Sequence, residues 1–126
     1  MHEYPVTVAW NGGRNGAGTA TADRSGVAVE LGVPPEFQGS GKGTNPEELL
    51  TAAIASCYSI TFGIIAENQK LPVTALSVTA VGEVEQAGMQ FNYKKITIRP
   101  RITVGSFAVV AGPTSSMGSG TTSVVG

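Results

Sequence analysis

Residues 43–68 read GTNPEELLTAAIASCYSITFGIIAEN, and this segment is the most informative part of the sequence for the fold class. It opens with a helix start signal: Asn45 is a favourable N-cap, Pro46 stands at the first helical position, and Glu48 follows three residues after the cap. The next proline, Pro72, ends the pattern. We therefore predict one α-helix from Pro46 to about Asn68, roughly 34 Å long.

The predicted helix is apolar almost all the way round. Residues 49–66 contain no charged side chain, so the helix should be buried on more than one side. A chain of 126 residues hardly encloses such a helix alone, which favours a homodimer whose interface covers it. A membrane span is the alternative, because about 18 apolar residues are the lower limit for crossing a bilayer. The alternating strands elsewhere favour a buried helix over a membrane span.

Antiparallel strands are predicted on both sides of the helix. Alternation of apolar and polar residues between turns rich in glycine and asparagine indicates a meander of three strands at 5–10, 18–22 and 27–31. Two longer runs, 74–86 and 89–104, indicate a hairpin, and Pro100 within the second run implies an edge position or a bulge. The predicted fold class is α+β: an antiparallel meander, a long central helix and a long hairpin.

Composition excludes several functions. The chain carries 8 Lys+Arg against 9 Asp+Glu, a net charge of -1, so we expect no nucleic-acid partner. One cysteine and one histidine exclude an intrachain disulfide, a cysteine zinc cluster and a histidine pair, and we expect no metal. The loop GSGKGT at 39–44 lacks Walker spacing, because Gly43 separates Lys42 from Thr44. No secretory signal pattern opens the chain, so we expect a cytoplasmic protein without a membrane partner.

Cys57 is the only strong nucleophile candidate, and two interpretations of it stay open. Free cysteine is among the most buried residue types, so the residues alone favour an inert core thiol. In the middle of a helix the thiol also gains nothing from the helix N-terminus, so a reactive thiolate needs a cation brought to it through space. Four guanidinium groups are available for that role: Arg14, Arg24, Arg99 and Arg101.

Arg14 and Glu47 are the candidates for assisting that thiol. Arg14 stands in the glycine-rich turn 11–16, which could reach over an active site, although a solvated turn residue is the simpler interpretation. Glu47 lies ten residues before Cys57, about 15 Å along one helix, so the two side chains cannot touch directly. Glu47 could orient an arginine or serve the site of a second subunit, or it could simply complement the helix dipole.

The run GTNPEELL at 43–50, followed by a cysteine ten residues after the first glutamate, resembles the OsmC/Ohr family, the osmotically inducible and organic hydroperoxide resistance proteins. The turn WNGGRNG at 10–16 is similar to the family's arginine turn. The resemblance covers about residues 4–104. It implies an intertwined homodimer and a thiol peroxidase acting on organic hydroperoxides with no metal or flavin. Cys57 then matches the peroxidatic cysteine, Arg14 the arginine that stabilises its thiolate, and Glu47 the glutamate that holds this arginine.

The sequence departs from that family after about Val104. The family places a resolving cysteine on a later helix and then a final strand, and this chain has neither a second cysteine nor a second helix signal. We therefore expect an incomplete OsmC-like domain at 1–104, lacking its C-terminal helix and strand. Residues 105–126 form an uncharged tail of low complexity, either flexible or a poor edge strand. The expected function is an organic hydroperoxide peroxidase impaired by the missing cysteine and dependent on an external dithiol. The alternative is a non-catalytic domain that binds a small apolar ligand or a partner chain.

Overall fold

The computed structural model describes residues 1–88 and 90–105 in full and residues 120–122 through their backbone. These residues fall into two compact units, the first comprising residues 1–49 and the second beginning at Leu50. The predicted domain boundary near residue 104 stays a prediction.

The first unit contains the predicted meander, which is confirmed. Strands β1 (Val6–Asn11), β2 (Ala17–Ala22) and β3 (Ala28–Leu31) form an antiparallel sheet in the order β1-β2-β3. The β1–β2 turn depends on Gly12, whose φ of +99° lies in the left-handed region that a side chain disfavours.

A closed loop leads from β3 to the helix. Its base is fixed because the Gly32 N–H donates to the Thr44 carbonyl and the Thr44 N–H donates to the Glu30 carbonyl, each at 2.8 Å. Within the loop, Pro35–Phe37 make one 3₁₀ turn. These bonds place the helix start directly beside the end of β3.

Helix α1 runs from Pro46 to Asn68, as predicted. The Asn45 side-chain oxygen accepts a hydrogen bond from the Glu48 N–H at 2.9 Å, which is the expected N-cap. The other end closes where Lys70 adopts a left-handed φ of +56° and the Leu71 N–H donates to the Ala66 carbonyl at 2.9 Å. The capping residues thus set both ends of the helix.

The second unit contains the predicted hairpin and a short third strand. Strands β4 (Val73–Ala87) and β5 (Gln90–Val104) pair antiparallel along their length, and β6 (Gly120–Thr122) pairs antiparallel with residues 96–98 of β5. The tail was predicted to be either flexible or an edge strand, and residues 120–122 form an edge strand. Residues 106–119 and 123–126 lie outside the described residues.

A bulge in β5 changes which side chains face the helix. The pairing shifts between Glu83 and Val84 of β4, which leaves Lys94 as an extra residue on β5. Tyr93 and Ile96 are consequently both buried, although strict alternation would put them on opposite faces.

The core of the second unit lies between α1 and the inner face of the hairpin. Tyr93, Ile96 and Ile98 are its buried members, and Ile96 is 0% exposed. Partly buried residues of α1 and β4 pack against them: Ile54, Tyr58, Val78, Ala80 and Val84.

Pro100 occupies an edge-like position rather than a bulge. It pairs with Val78 of β4 without a shift in register, and β6 pairs only with residues 96–98. Among the described residues, β5 therefore pairs with a single strand at Pro100. A proline, which lacks a backbone N–H, is tolerated at such a position.

The predicted burial of α1 on several sides is wrong for the single chain. Ala66 is the only buried residue of the helix, and Ile60, Ile64 and Ile65 are 65%, 53% and 48% exposed. The physical reason is that the hairpin offers one apolar face, which covers the side of α1 that carries Ile54 and Tyr58. By length and composition alone, α1 could also cross a membrane.

Candidate functional site

Cys57 lies on the exposed side of α1. Its Sγ is 4.0 Å from the Thr61 hydroxyl oxygen, one helical turn further along the chain. The thiol is exposed, so its interpretation as a core residue is wrong for the single chain, while its reactivity stays a prediction. An exposed sulfur is open to an oxidant from solvent.

The helical period explains why Cys57 points outward. Ile54 and Tyr58 are four residues apart and face the hairpin core. Cys57, Thr61 and Ile64 follow at intervals of four and three residues and form a second stripe, which is exposed. The thiol therefore stands among polar and apolar side chains of one uncovered helix face.

A shallow groove lies on α1 beside this stripe. It is lined by four small helix residues, an isoleucine and a valine of β4: Ala52, Ala55, Ser56, Ser59, Ile60 and Val78. The hydroxyls of Ser56 and Ser59 donate back to the Ala52 and Ala55 carbonyls at 2.6 and 2.7 Å. Their protons are thus already used within the helix, and the groove offers a ligand mainly apolar surface.

Arg14 stands in the β1–β2 turn of the first unit and is exposed. Its Nη1 donates a hydrogen bond of 2.8 Å to the backbone carbonyl of Phe37, in the loop before α1. The turn itself is closed by a bond of 2.9 Å from the Gly16 N–H to the Gly13 carbonyl. The arginine is therefore tied to the loop rather than left free in solvent.

Glu47 occupies the first turn of α1 and is half-buried. The neighbouring Glu48 carboxylate accepts a hydrogen bond from the Thr44 hydroxyl at 2.8 Å, so the two acids have different surroundings. Arg14 and Glu47 belong to the first unit and Cys57 to the second. Their assembly into one site stays a prediction.

Within the described residues, no group of three His, Cys, Asp or Glu side chains is arranged to hold a metal ion.

Comparison with known proteins identifies the family. The model of the family described as OsmC-like protein matches residues 39–109. The chain belongs to the OsmC-like family. That match contains the last residues of the loop before α1, from residue 39, the whole helix with Cys57, and the β4–β5 hairpin.

Two relatives align over most of the chain. An uncharacterized protein of Bacillus subtilis (strain 168), YmaD, is 34% identical over 103 residues, which cover 82% of this chain and 67% of the relative. Peroxiredoxin OsmC of Escherichia coli (strain K12) is 32% identical over 98 residues, which cover 75% of this chain and 67% of the relative.

Solved structures confirm the OsmC-like fold. An OsmC-like protein of unknown function from Vibrio cholerae superposes with a TM-score of 0.75 at 22% identity, over 93% of this chain and 85% of that one. An organic hydroperoxide resistance protein OsmC from Legionella pneumophila gives a TM-score of 0.64 at 26% identity, over 84% of this chain and 76% of that one. The α+β prediction is thereby confirmed, and the family includes proteins named for peroxide chemistry.

Two features of the site were not predicted from sequence. The proximity of Thr61 to Cys57 follows from their spacing of four residues on a helix, so the pattern contained this signal. The bond from Arg14 to Phe37 joins residues 23 positions apart through a backbone carbonyl, and no side-chain pattern indicates such an acceptor.

Proposed function

We propose that this protein is a thiol-dependent peroxidase that reduces organic hydroperoxides through a sulfenic acid on Cys57. The observation that carries the proposal is the exposed thiol on the central helix of an OsmC-like fold. Relatives named peroxiredoxin OsmC and organic hydroperoxide resistance protein-like support the substrate class.

The first step is a nucleophilic displacement on oxygen. The Cys57 thiolate attacks the outer oxygen of the hydroperoxide, the O–O bond breaks, and its electron pair leaves with the alkoxide. The alkoxide takes up a proton and departs as the alcohol. The sulfur is oxidised by two electrons to a sulfenic acid, and the peroxide is reduced by the same two electrons.

Arg14 and Glu47 assist this step in the proposal. An alkoxide is a poor leaving group, and a guanidinium gives fixed positive charge both to the thiolate and to the developing oxyanion. Glu47, at the start of α1, holds that arginine in place, from the same chain or from a second subunit. The family resemblance of the arginine turn and the helix start supports these roles.

An external dithiol completes the cycle, because this chain contains a single cysteine. One thiol of the reductant displaces the sulfenic oxygen as water and forms a mixed disulfide with Cys57. The second thiol then releases Cys57 and closes a disulfide within the reductant. Such a cycle requires a reduced dithiol pool, which is the condition of the cytoplasm, and we place the protein there.

A homodimer is part of the proposal. The exposed isoleucines of α1 leave apolar surface in water, and a second copy of the chain would cover it. The dimer would also supply apolar walls around Cys57 that favour organic peroxides over hydrogen peroxide.

The groove beside the thiol favours one alternative function. Its apolar lining suits a small apolar ligand or a partner chain, which a non-catalytic OsmC-like domain would bind without oxidation of Cys57. The two functions differ in what happens to the sulfur.

The test is oxidation of Cys57 by tert-butyl hydroperoxide at neutral pH, followed by trapping with dimedone and intact-mass measurement. We expect a rapid gain of one dimedone adduct, confined to the peptide with Cys57 and absent from Cys57→Ser. The matched control is Cys57→Ser/Ser56→Cys, which moves the thiol to another exposed position one residue away. Equal rates for the two thiols, or no adduct on the natural chain, would reject the peroxidase and favour the binding function.

A further inference from the structure

The anchoring of Arg14 in the first unit assigns a role to the loop before α1. The Arg14 guanidinium is exposed, yet its Nη1 donates to the Phe37 carbonyl at 2.8 Å. A long side chain in a glycine-rich turn would otherwise sample many rotamers. The bond restricts it to conformations that reach the Pro35–Phe37 turn.

That turn is itself held rigidly. The Phe37 and Gly39 N–H groups both donate to the Pro34 carbonyl at 3.0 Å, and the Gln38 N–H donates to the Pro35 carbonyl at 2.8 Å. Gln38 adopts a left-handed φ of +65°, which a non-glycine residue keeps only when its surroundings require it. The Phe37 carbonyl is thus presented to Arg14 in a defined direction.

The chemistry of the acceptor matters for function. A guanidinium has five N–H donors, and a carbonyl uses one of them without neutralising the charge. The bond to the Phe37 carbonyl therefore orients Arg14 and leaves its other N–H donors for further partners, among them the Glu47 carboxylate of the proposed function.

We propose that the turn at residues 34–39, which contains the Pro35–Phe37 segment, positions Arg14 through the Phe37 carbonyl. This inference rests on the proposed function, in which Arg14 stabilises the Cys57 thiolate and the departing alkoxide. The turn fixes the arginine before substrate arrives, so that less ordering is needed during the reaction.

Gly39 provides the means to disturb the turn. A Cβ at this position would overlap the backbone and Cβ of Val33, so Gly39→Ala must displace the turn. If that variant does not fold, Pro35→Gly loosens the same turn without adding an atom. Arg24→Ala is the matched control, because Arg24 is also exposed and also donates to a backbone carbonyl, that of Glu3 at 3.2 Å.

The first measurement is independent of activity. In ¹⁵N NMR of the full-length reduced protein, slow rotation of a hydrogen-bonded guanidinium should give resolved Nη signals for Arg14. We expect these signals to merge in the turn variant and to persist in Arg24→Ala. Averaged Arg14 signals in the natural chain would overturn the anchor, whatever the protein does with peroxides.

The second measurement is a double-mutant cycle on the rate of Cys57 oxidation by tert-butyl hydroperoxide. We expect the turn variant to lower the rate roughly tenfold in the natural background and to have no further effect in Arg14→Ala. An equal loss in both backgrounds would mean a structural effect and would overturn the proposal. If Arg14→Ala alone leaves the rate unchanged, the positioning role of the turn is rejected, whereas sulfenic acid formation at Cys57 is not.

Discussion

Cys57 is the one thiol of this sequence, and it determines the thiol redox chemistry open to the chain. The Thr61 hydroxyl oxygen lies 4.0 Å from the Cys57 Sγ on the same helix face. Once oxidised, Cys57 cannot form an intrachain disulfide, because the sequence has no second cysteine. The sulfenic acid therefore persists until an outside thiol or a second peroxide reaches it.

We predict one rapid turnover per chain followed by a slow phase. With excess organic hydroperoxide and a dithiol reductant, stopped-flow peroxide consumption should show a burst stoichiometric with Cys57, because each new cycle must await a collision with the reductant. Without reductant, the intact mass should rise by two oxygen atoms as the sulfinic acid forms. Sustained consumption at the rate of the burst would contradict this expectation.

At the residue scale, the sequence supported those predictions that depend on local spacing. Asn45 was recognisable as the N-cap because its side chain only has to reach an N–H three residues on, and the structure has that bond. The outward direction of Cys57 was not recognisable, because an apolar helix gives no periodic contrast between its faces. The backbone acceptor of Arg14 could not be predicted, since a carbonyl belongs to every residue.

Among the elements, α1 and β4 approach each other closely at Gly82. A Cβ at Gly82 would overlap the Thr51 hydroxyl and lie 2.9 Å from the Tyr93 ring and hydroxyl. Thr51 and Tyr93 also share a hydrogen bond, which joins the helix to β5. Glycine is thus required here by the contact between helix and sheet.

We predict that Gly82→Ala lowers the free energy of unfolding by about 1–3 kcal/mol, because the added methyl group forces helix and sheet apart. The double variant Gly82→Ala/Thr51→Ala removes the hydroxyl nearest to the added methyl group and should recover part of this loss. Denaturant titration of the natural chain, the two single variants and the double variant would measure the recovery. Strictly additive effects of the two substitutions would show that Gly82 and Thr51 do not compete for the same space.

The elements were predictable to different degrees. The bounds of α1 followed from its caps, and the hairpin followed from its turn and alternating strands. In the sequence, the bulge at Lys94 was indicated only by Tyr93 and Ile96, which are three positions apart and so break the strict alternation of apolar residues along a strand. The burial of α1 was overestimated, because an apolar composition does not reveal how many surfaces one chain can provide.

At the scale of the whole molecule, apolar surface is the feature that requires explanation. Exposed large apolar side chains include Ile60, Ile64 and Ile65 on α1 and Val6 and Val8 on β1. On α1, Ile60 and Ile64 are one helical turn apart, and monomeric soluble proteins rarely leave large contiguous apolar patches uncovered. Association between copies and insertion of α1 into a membrane are two ways to cover the helix.

We predict a homodimer in detergent-free buffer, with a mass by light scattering of twice the 12.9 kDa chain. Ile64→Asp should shift the equilibrium toward monomer, since it would bury a charge in the proposed interface. Thr79→Asp, at an exposed position of β4, is the matched control and should leave the mass unchanged. A natural chain that is monomeric at every accessible concentration would exclude the dimer, and a requirement for detergent would favour the membrane.

The β4–β5 pairing has a consequence for how the molecule assembles. The pair nearest the turn, Ala87 with Gln90, is almost adjacent in sequence. Each further pair lies next to the pair before it, out to Val73 with Val104 at the far end of the hairpin. Each step therefore encloses only a small additional loop, so the ladder can zip from its turn at low entropic cost. We therefore expect the hairpin to form before α1 docks on it.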